Sequence, residues 1–196
     1  MLPIKKSTII FLLFLTTLLC FKLSSVFAQN HSVIELRTEY MTPDSLLIMG
    51  SLQTLTMKES LISTLGEPDS IVTVREIECP NYFNRYCPNE YERLYWGNSH
   101  FEVCNDKAVV SVIYFSENED INLIYKGEIE LSHRTTVDYI RQYFPNTVKK
   151  LGDIKVYQES TYQSFTLPVQ PERAESGWMF FFRDDKLKRL DYWFPC

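Results

Sequence analysis

Glycine is scarce in this chain, with six residues in 196, and histidine is scarcer, with three. The glycines nowhere take the spacing that cradles a phosphate, and no Gly-x-Ser-x-Gly turn or pair of metal ligands at helical spacing occurs. His31, His100 and His133 stand apart from one another, none in a recognisable nucleophile context. There is no Cys-x-x-Cys, so thiol redox chemistry lacks its usual motif. The acidic run Ser116-Glu117-Asn118-Glu119-Asp120 lacks the glycine and the bidentate acid of a calcium loop. Basic residues are dispersed, the densest group being Lys186-Leu187-Lys188-Arg189, so the counterion release that drives nucleic-acid binding has no patch to act through. These absences point away from an enzyme, a cofactor, a metal site and a nucleic-acid partner.

The first 28 residues have the layout of a secretory signal: Lys5-Lys6, an apolar stretch from Ile9 to Phe21, then small residues around Val26-Phe27-Ala28. Cleavage is expected after Ala28. The apolar stretch is shorter than the ~20 residues that cross a bilayer, and no later run approaches that length, so no transmembrane segment is expected after cleavage. Cys20 as a lipid-attachment site is disfavoured by Leu19, which is not small. Removal of Lys5, Lys6 and Lys22, with no acids, takes the formal charge from −5 to −8. Four cysteines remain, Cys79, Cys87, Cys104 and Cys196, and an even count in an exported chain argues for disulfides. Zinc is the rival reading, but no histidine lies near Cys79 and Cys87, and their separation does not suit a knuckle. The expected pairing is Cys79 with Cys87, which share one insertion turned by Pro80 and Pro88, and Cys104 with Cys196. The expected location is secreted or periplasmic.

The two halves of the remaining chain match at an offset of 79 residues, Thr56–Pro68 over Thr135–Thr147 and Asn105-Asp106-Lys107 over Asp184-Asp185-Lys186. Thr56 with Glu59, and Thr135 with Asp138, read as capping boxes. Apolar residues then recur at helical spacing, Leu61, Ile62 and Leu65 in one unit and Val137, Ile140 and Phe144 in the other, with Gly66, Pro68 and Pro145 as stops. Leu65 and Phe144 are expected to be equivalent anchors. Alternation predicts strands at Tyr91–Trp96, Ser99–Cys104, Ala108–Phe115, Trp178–Arg183 and Leu187–Phe194, with hairpin turns at Asn105-Asp106 and Asp184-Asp185. Leu123–Leu131 reads as one further strand, with Val33–Tyr40 as its weaker counterpart. The expected organisation is a signal peptide at 1–28, a first repeat with its N-terminal extension at 29–115, an acidic linker at 116–122 and a second repeat at 123–196.

The pattern Thr56-x-x-Glu59-x-Leu61-x-x-x-Leu65-Gly66-x-Pro68-Asp69, followed by Asn105-Asp106-Lys107-Ala108-Val109-Val110, resembles the helix-then-meander module of outer-membrane lipoproteins of the SmpA/OmlA type. Two modules in tandem are similar to the beta-lactamase inhibitory protein architecture, from about Leu52 to Phe194. The resemblance implies an α+β fold of two tandem repeats, each a short helical segment on an antiparallel β-meander, forming a curved sheet with helices on one side and the other face free for a partner. The chain lacks those lipoproteins' lipid-attachment cysteine, and the insertion with Cys79 and Cys87 does not map onto the inhibitor.

Trp178-Met179-Phe180-Phe181-Phe182 and Tyr192-Trp193-Phe194 are apolar at consecutive positions, so both faces of these strands carry large side chains. The offset marks Phe101, Val103, Ile113, Phe115, Phe180, Phe182, Tyr192 and Phe194 as core. The alternate positions mix aromatic with charged residues and predict a protein-binding face of Tyr95, Tyr114, Phe181, Arg189, Asp191 and Trp193. The partner expected is another exported or envelope protein, held by an inhibitor or adaptor; a structural part in cell-envelope assembly is the alternative.

Overall fold

The computed structural model describes residues 38–75, 82, 87, 90–116, 121–156, 160–172 and 174–194. The expected signal peptide, Cys79 and Cys196 lie outside them. The elements are β1 (Leu46–Ile48), β2 (Leu52–Gln53), β3 (Leu55–Met57), α1 (Lys58–Leu65), β4 (Ser70–Val74), β5 (Tyr91–Trp96), β6 (Ser99–Cys104), β7 (Lys107–Tyr114), β8 (Leu123–Tyr125), β9 (Ile129–Leu131), α2 (Val137–Arg141), α3 (Pro145–Val148), β10 (Gly152–Lys155), β11 (Thr161–Pro168), β12 (Gly177–Arg183) and β13 (Lys186–Trp193). The fold is α+β, dominated by antiparallel strands. A four-stranded sheet runs β2-β1-β8-β9, and a nine-stranded sheet runs β10-β11-β12-β13-β7-β6-β5-β4, with β3 also pairing β7.

Local chemistry explains the hairpins. Asn105 and Asp106, and Asp184 and Asp185, all take positive φ, between 47° and 63°, the backbone that two-residue turns require and that Asn and Asp tolerate. Cys104 pairs with Lys107 across the first turn and Arg183 with Lys186 across the second. Each ladder then carries one bulge, between His100 and Phe101 and between Phe181 and Phe182. The two meanders meet where β7 runs antiparallel to β13, with Tyr114 opposite Arg189, Ile113 opposite Leu190 and Val112 opposite Asp191.

One cluster forms the main core. It joins Leu94, Phe101, Ile113, Phe180, Phe182 and Leu190 of the large sheet to Leu46, Ile48, Leu123 and Leu131 of the small one, and to Leu61, Val137, Ile140 and Val148 of the helices. Phe115 and Val103 are buried as expected, whereas Tyr192 and Phe194 are only half-buried. Trp178 is fully buried, and its indole N–H donates to the Met41 carbonyl at 2.9 Å.

Several expectations are corrected. Thr56 lies in β3 and caps nothing; α1 starts after Met57 without a side-chain cap. In the second half the cap is Thr136, whose hydroxyl accepts from the Tyr139 amide at 3.1 Å, while Thr135 donates to the Glu130 carbonyl. The helix there ends at Arg141, and Pro145 opens a second short helix, because proline's fixed φ and missing N–H suit a first turn. Leu123–Leu131 is a hairpin: Lys126 and Gly127 sit at φ of 52° and 72° and turn the chain. The β1–β2 hairpin is turned in the same way, by Met49 and Gly50. Thr38–Tyr40 form no strand, and Val33–Arg37 lie outside the described residues.

The disulfide pairing is also different. Cys87 is bonded to Cys104, with Cα atoms 6.2 Å apart. The reason is register: Glu92 opposes Val103 in the β5–β6 ladder, so the chain entering β5 runs past the end of β6, where Cys104 lies. That bond rules out both Cys79–Cys87 and Cys104–Cys196.

Candidate binding face

Strand pairing defines the face of the large sheet opposite the main core. Residues directly opposed in an antiparallel ladder project to the same side, so Tyr95 with His100, Arg93 with Glu102, Val112 with Asp191, Tyr114 with Arg189, Phe181 with Arg189 and Gly177 with Trp193 all share it. All six expected residues, Tyr95, Tyr114, Phe181, Arg189, Asp191 and Trp193, therefore lie on one side of one sheet.

The centre is the seam of β7 and β13. The Arg189 guanidinium forms two parallel hydrogen bonds to Asp191, at 2.6 and 2.7 Å, and donates a third to the Tyr114 hydroxyl at 2.8 Å. It also lies over the rings of Tyr114 and Phe181, at 5.2 and 5.0 Å from their centroids. Both partners of the ion pair are largely buried, and the bidentate geometry and the ring beneath replace the lost hydration. Phe181 itself is buried, beneath Arg189 and edge-on to Tyr162 at 5.8 Å. It supports the face from below and offers it no contact area. Trp193 is 42% exposed, and Tyr95, Tyr114 and Met179 are half-buried.

A second polar group lies across the sheet, and the alternation around Tyr95 could have disclosed it. Tyr91 and Arg93 share Tyr95's side of β5; Arg93 donates to the Tyr91 hydroxyl at 2.7 Å and pairs with Glu102 at 3.4 Å. Burial raises the Glu102 carboxyl above its ordinary range, and the Arg93 charge, with hydrogen bonds from Tyr91 and Ser111, works against that rise. Between the two groups stands His100, its ring 5.2 Å from that of Tyr95. Its pKa is pushed down to about 4, first by burial and then by the positive charges of Arg93 and Arg189. At neutral pH it is an uncharged hydrogen-bonding ring.

The lower part of this face is covered. Cys104 and Val109, which share Glu102's side, form a small cluster with Leu55, Tyr82 and Cys87. What stays accessible runs from Tyr95 across Tyr114 to Trp193. Among the described residues no group of three or more His, Cys, Asp or Glu is placed to hold a metal ion, and no helix is long and apolar enough to cross a membrane.

Comparison with family models, with curated proteins and with solved structures finds no match for this chain.

Proposed function

We propose that the chain is an exported, non-enzymatic protein-binding module that holds another exported or envelope protein on this face, as an inhibitor or adaptor. One observation carries the reading: the exposed Trp193 stands beside a bidentate Arg189–Asp191 pair that is already locked, with half-buried Tyr114 against it. A rigid aromatic next to a pre-oriented arginine loses little conformational freedom on binding, and tryptophan, tyrosine and arginine dominate interface hot spots. The Cys87–Cys104 bond supports an oxidising compartment.

The reading includes an internal duplication that produces the face. Its support lies in the pairing. The large sheet's order places β4, β5, β6 and β7 as the mirror sequence of β10, β11, β12 and β13. The Met57–Lys107 pair of β3 and β7 recurs, shifted by the same offset in both partners, as the isolated Thr136–Lys186 bridge. Val112 and Asp191, which oppose each other across the seam, are themselves equivalent positions under that offset. A twofold relation through this pair would put the seam at the centre of the face.

The test is capture from exported proteins with Trp193→Ala. Its melting temperature should stay near that of the parent while capture weakens by about 2 kcal/mol or more. A large stability loss, with Trp193 emission already blue-shifted in the isolated protein, would overturn the reading. Recovery of membrane-barrel machinery as the only partner would favour the envelope-assembly role instead.

A further inference from the structure

The two ends of the large sheet are built differently. At one end β10 carries Asp153 and Lys155 within four residues, charges of the kind that keep an exposed edge from pairing with another chain. At the other end β4 reads Ser-Ile-Val-Thr-Val, with no charge, proline or glycine. All five of its residues pair with β5 on the inner side, and no strand among the described residues pairs with its outer side. Ile71 and Val72 are 51% and 47% exposed. Four of the five residues are β-branched, the side chains that fit a pleated sheet best. Charge appears only at the two flanks, where Asp69 and Arg75 are both exposed.

We propose that β4 is a self-association edge, at which a second copy of this chain adds antiparallel about Val72 and continues the sheet. In that register Val72 faces its own copy, Ile71 faces Thr73, Ser70 faces Val74, and Asp69 of each copy faces Arg75 of the other. The charges select this arrangement. Parallel in-register addition would set Asp69 against Asp69 and Arg75 against Arg75, and like charges directly opposite destabilise a strand pair. The acidic net charge, −5 for the full chain and −8 after the expected cleavage, works against association in general, and the two Asp69–Arg75 pairs offset it where the strands touch. Asp69 has one carboxylate oxygen on the Gly97 amide and keeps a second for a partner, and the Arg75 side chain, 3.5 Å from Glu90, is 79% exposed. The twofold contact consumes the unprotected edge of both copies and leaves the two charged β10 edges outermost, so growth stops at two. A twofold axis normal to the sheet also sets both Trp193 residues on the same side of the joined sheet. The dimer stands independently of what that face binds.

The experiment is sedimentation equilibrium of the purified exported protein across a micromolar concentration series, with three variants. The parent should reach a dimer and no higher species. Val72→Cys should cross-link to its own copy under mild oxidation, seen by non-reducing peptide mapping as a peptide joined to itself at position 72, whereas Thr73→Cys, which faces Ile71, should not. Arg75→Asp should raise the dimer dissociation constant about tenfold or more, equivalent to roughly 1.4 kcal/mol. A parent that stays monomeric throughout would overturn the proposal. So would a dimer that ignores Arg75→Asp and gives no cross-link at position 72.

Discussion

His100 is the residue on which the chemistry of the face can be read most directly. It stays neutral in the folded protein down to about pH 4, while in the unfolded chain it takes a proton near 6.5. Between those values the unfolded state binds more protons, so this contribution to stability, full above about 6.5, is lost as pH falls towards 4, up to roughly 3 kcal/mol. Glu102 has the opposite sign: its raised pKa favours the fold at low pH, and that advantage is lost as pH rises. Urea unfolding at fixed pH values should therefore give His100→Gln a flatter profile than the parent between 6.5 and 4. Parallel profiles would mean that His100 titrates normally. Alternation together with the repeat offset was enough to place Tyr114, Arg189, Asp191 and Trp193 on one side. It missed Tyr91 and Arg93, which share Tyr95's side of β5, and His100, which opposes Tyr95 from β6, because that grouping depends on the β5–β6 register.

At the scale of elements, burial separates residues that helical periodicity treats as equal. Leu61 is fully buried and Phe144 nearly so, whereas Leu65 is only half-buried at the end of α1. Leu61→Ala and Phe144→Ala should each cost roughly 2 to 5 kcal/mol, the range for core truncation, and Leu65→Ala clearly less. Equal losses from Leu65→Ala and Phe144→Ala in denaturant melts would restore the equivalence expected from the sequence. The Cys87–Cys104 bond closes 17 residues, which the chain-entropy model values at about 3 kcal/mol. The double change Cys87→Ser with Cys104→Ser should lower stability by about that amount, and an unchanged melt would show that the bond constrains little. Strands bounded by turn residues were readable from sequence: Tyr91–Trp96 and Ser99–Cys104 match β5 and β6 end to end. The small hairpins were not, because each arm of Leu123–Leu131 is only three residues long, and the Lys126-Gly127-Glu128 turn between them is short enough for the whole segment to read as one strand. The β11 strand was hidden because it pairs to its end at Pro168, a residue that usually argues against a strand interior.

Among the described residues there is one main core, to which both meanders, both sheets and all three described helices contribute. The only other apolar cluster among the described residues is the small one at Cys104 and Val109, and Ile113 and Leu190 face each other across the seam, both fully buried. Residues 38–194 should therefore unfold in one transition. Far-ultraviolet circular dichroism and tryptophan emission should give coincident urea curves, since Trp96 belongs to one half and Trp178 to the other. Two resolved steps would show that the halves are energetically separate despite sharing a core.

The segment around Thr38–Met41 gives the fold a mechanical property. Glu39 accepts hydrogen bonds from the amides of Asn146 and Thr147 at 2.9 and 2.7 Å, and Met41 is held by the Pro168 carbonyl and the Trp178 indole, each at 2.9 Å. Tension entering the described chain at Thr38 would load these four bonds before it reached any strand. At the far end β13 lies inside the sheet, between β12 and β7, so a pull through Trp193 would have to break two ladders. The molecule is thus mechanically asymmetric: under stretching, the latch at Glu39 and Met41 should yield first, with the β7–β13 seam still closed.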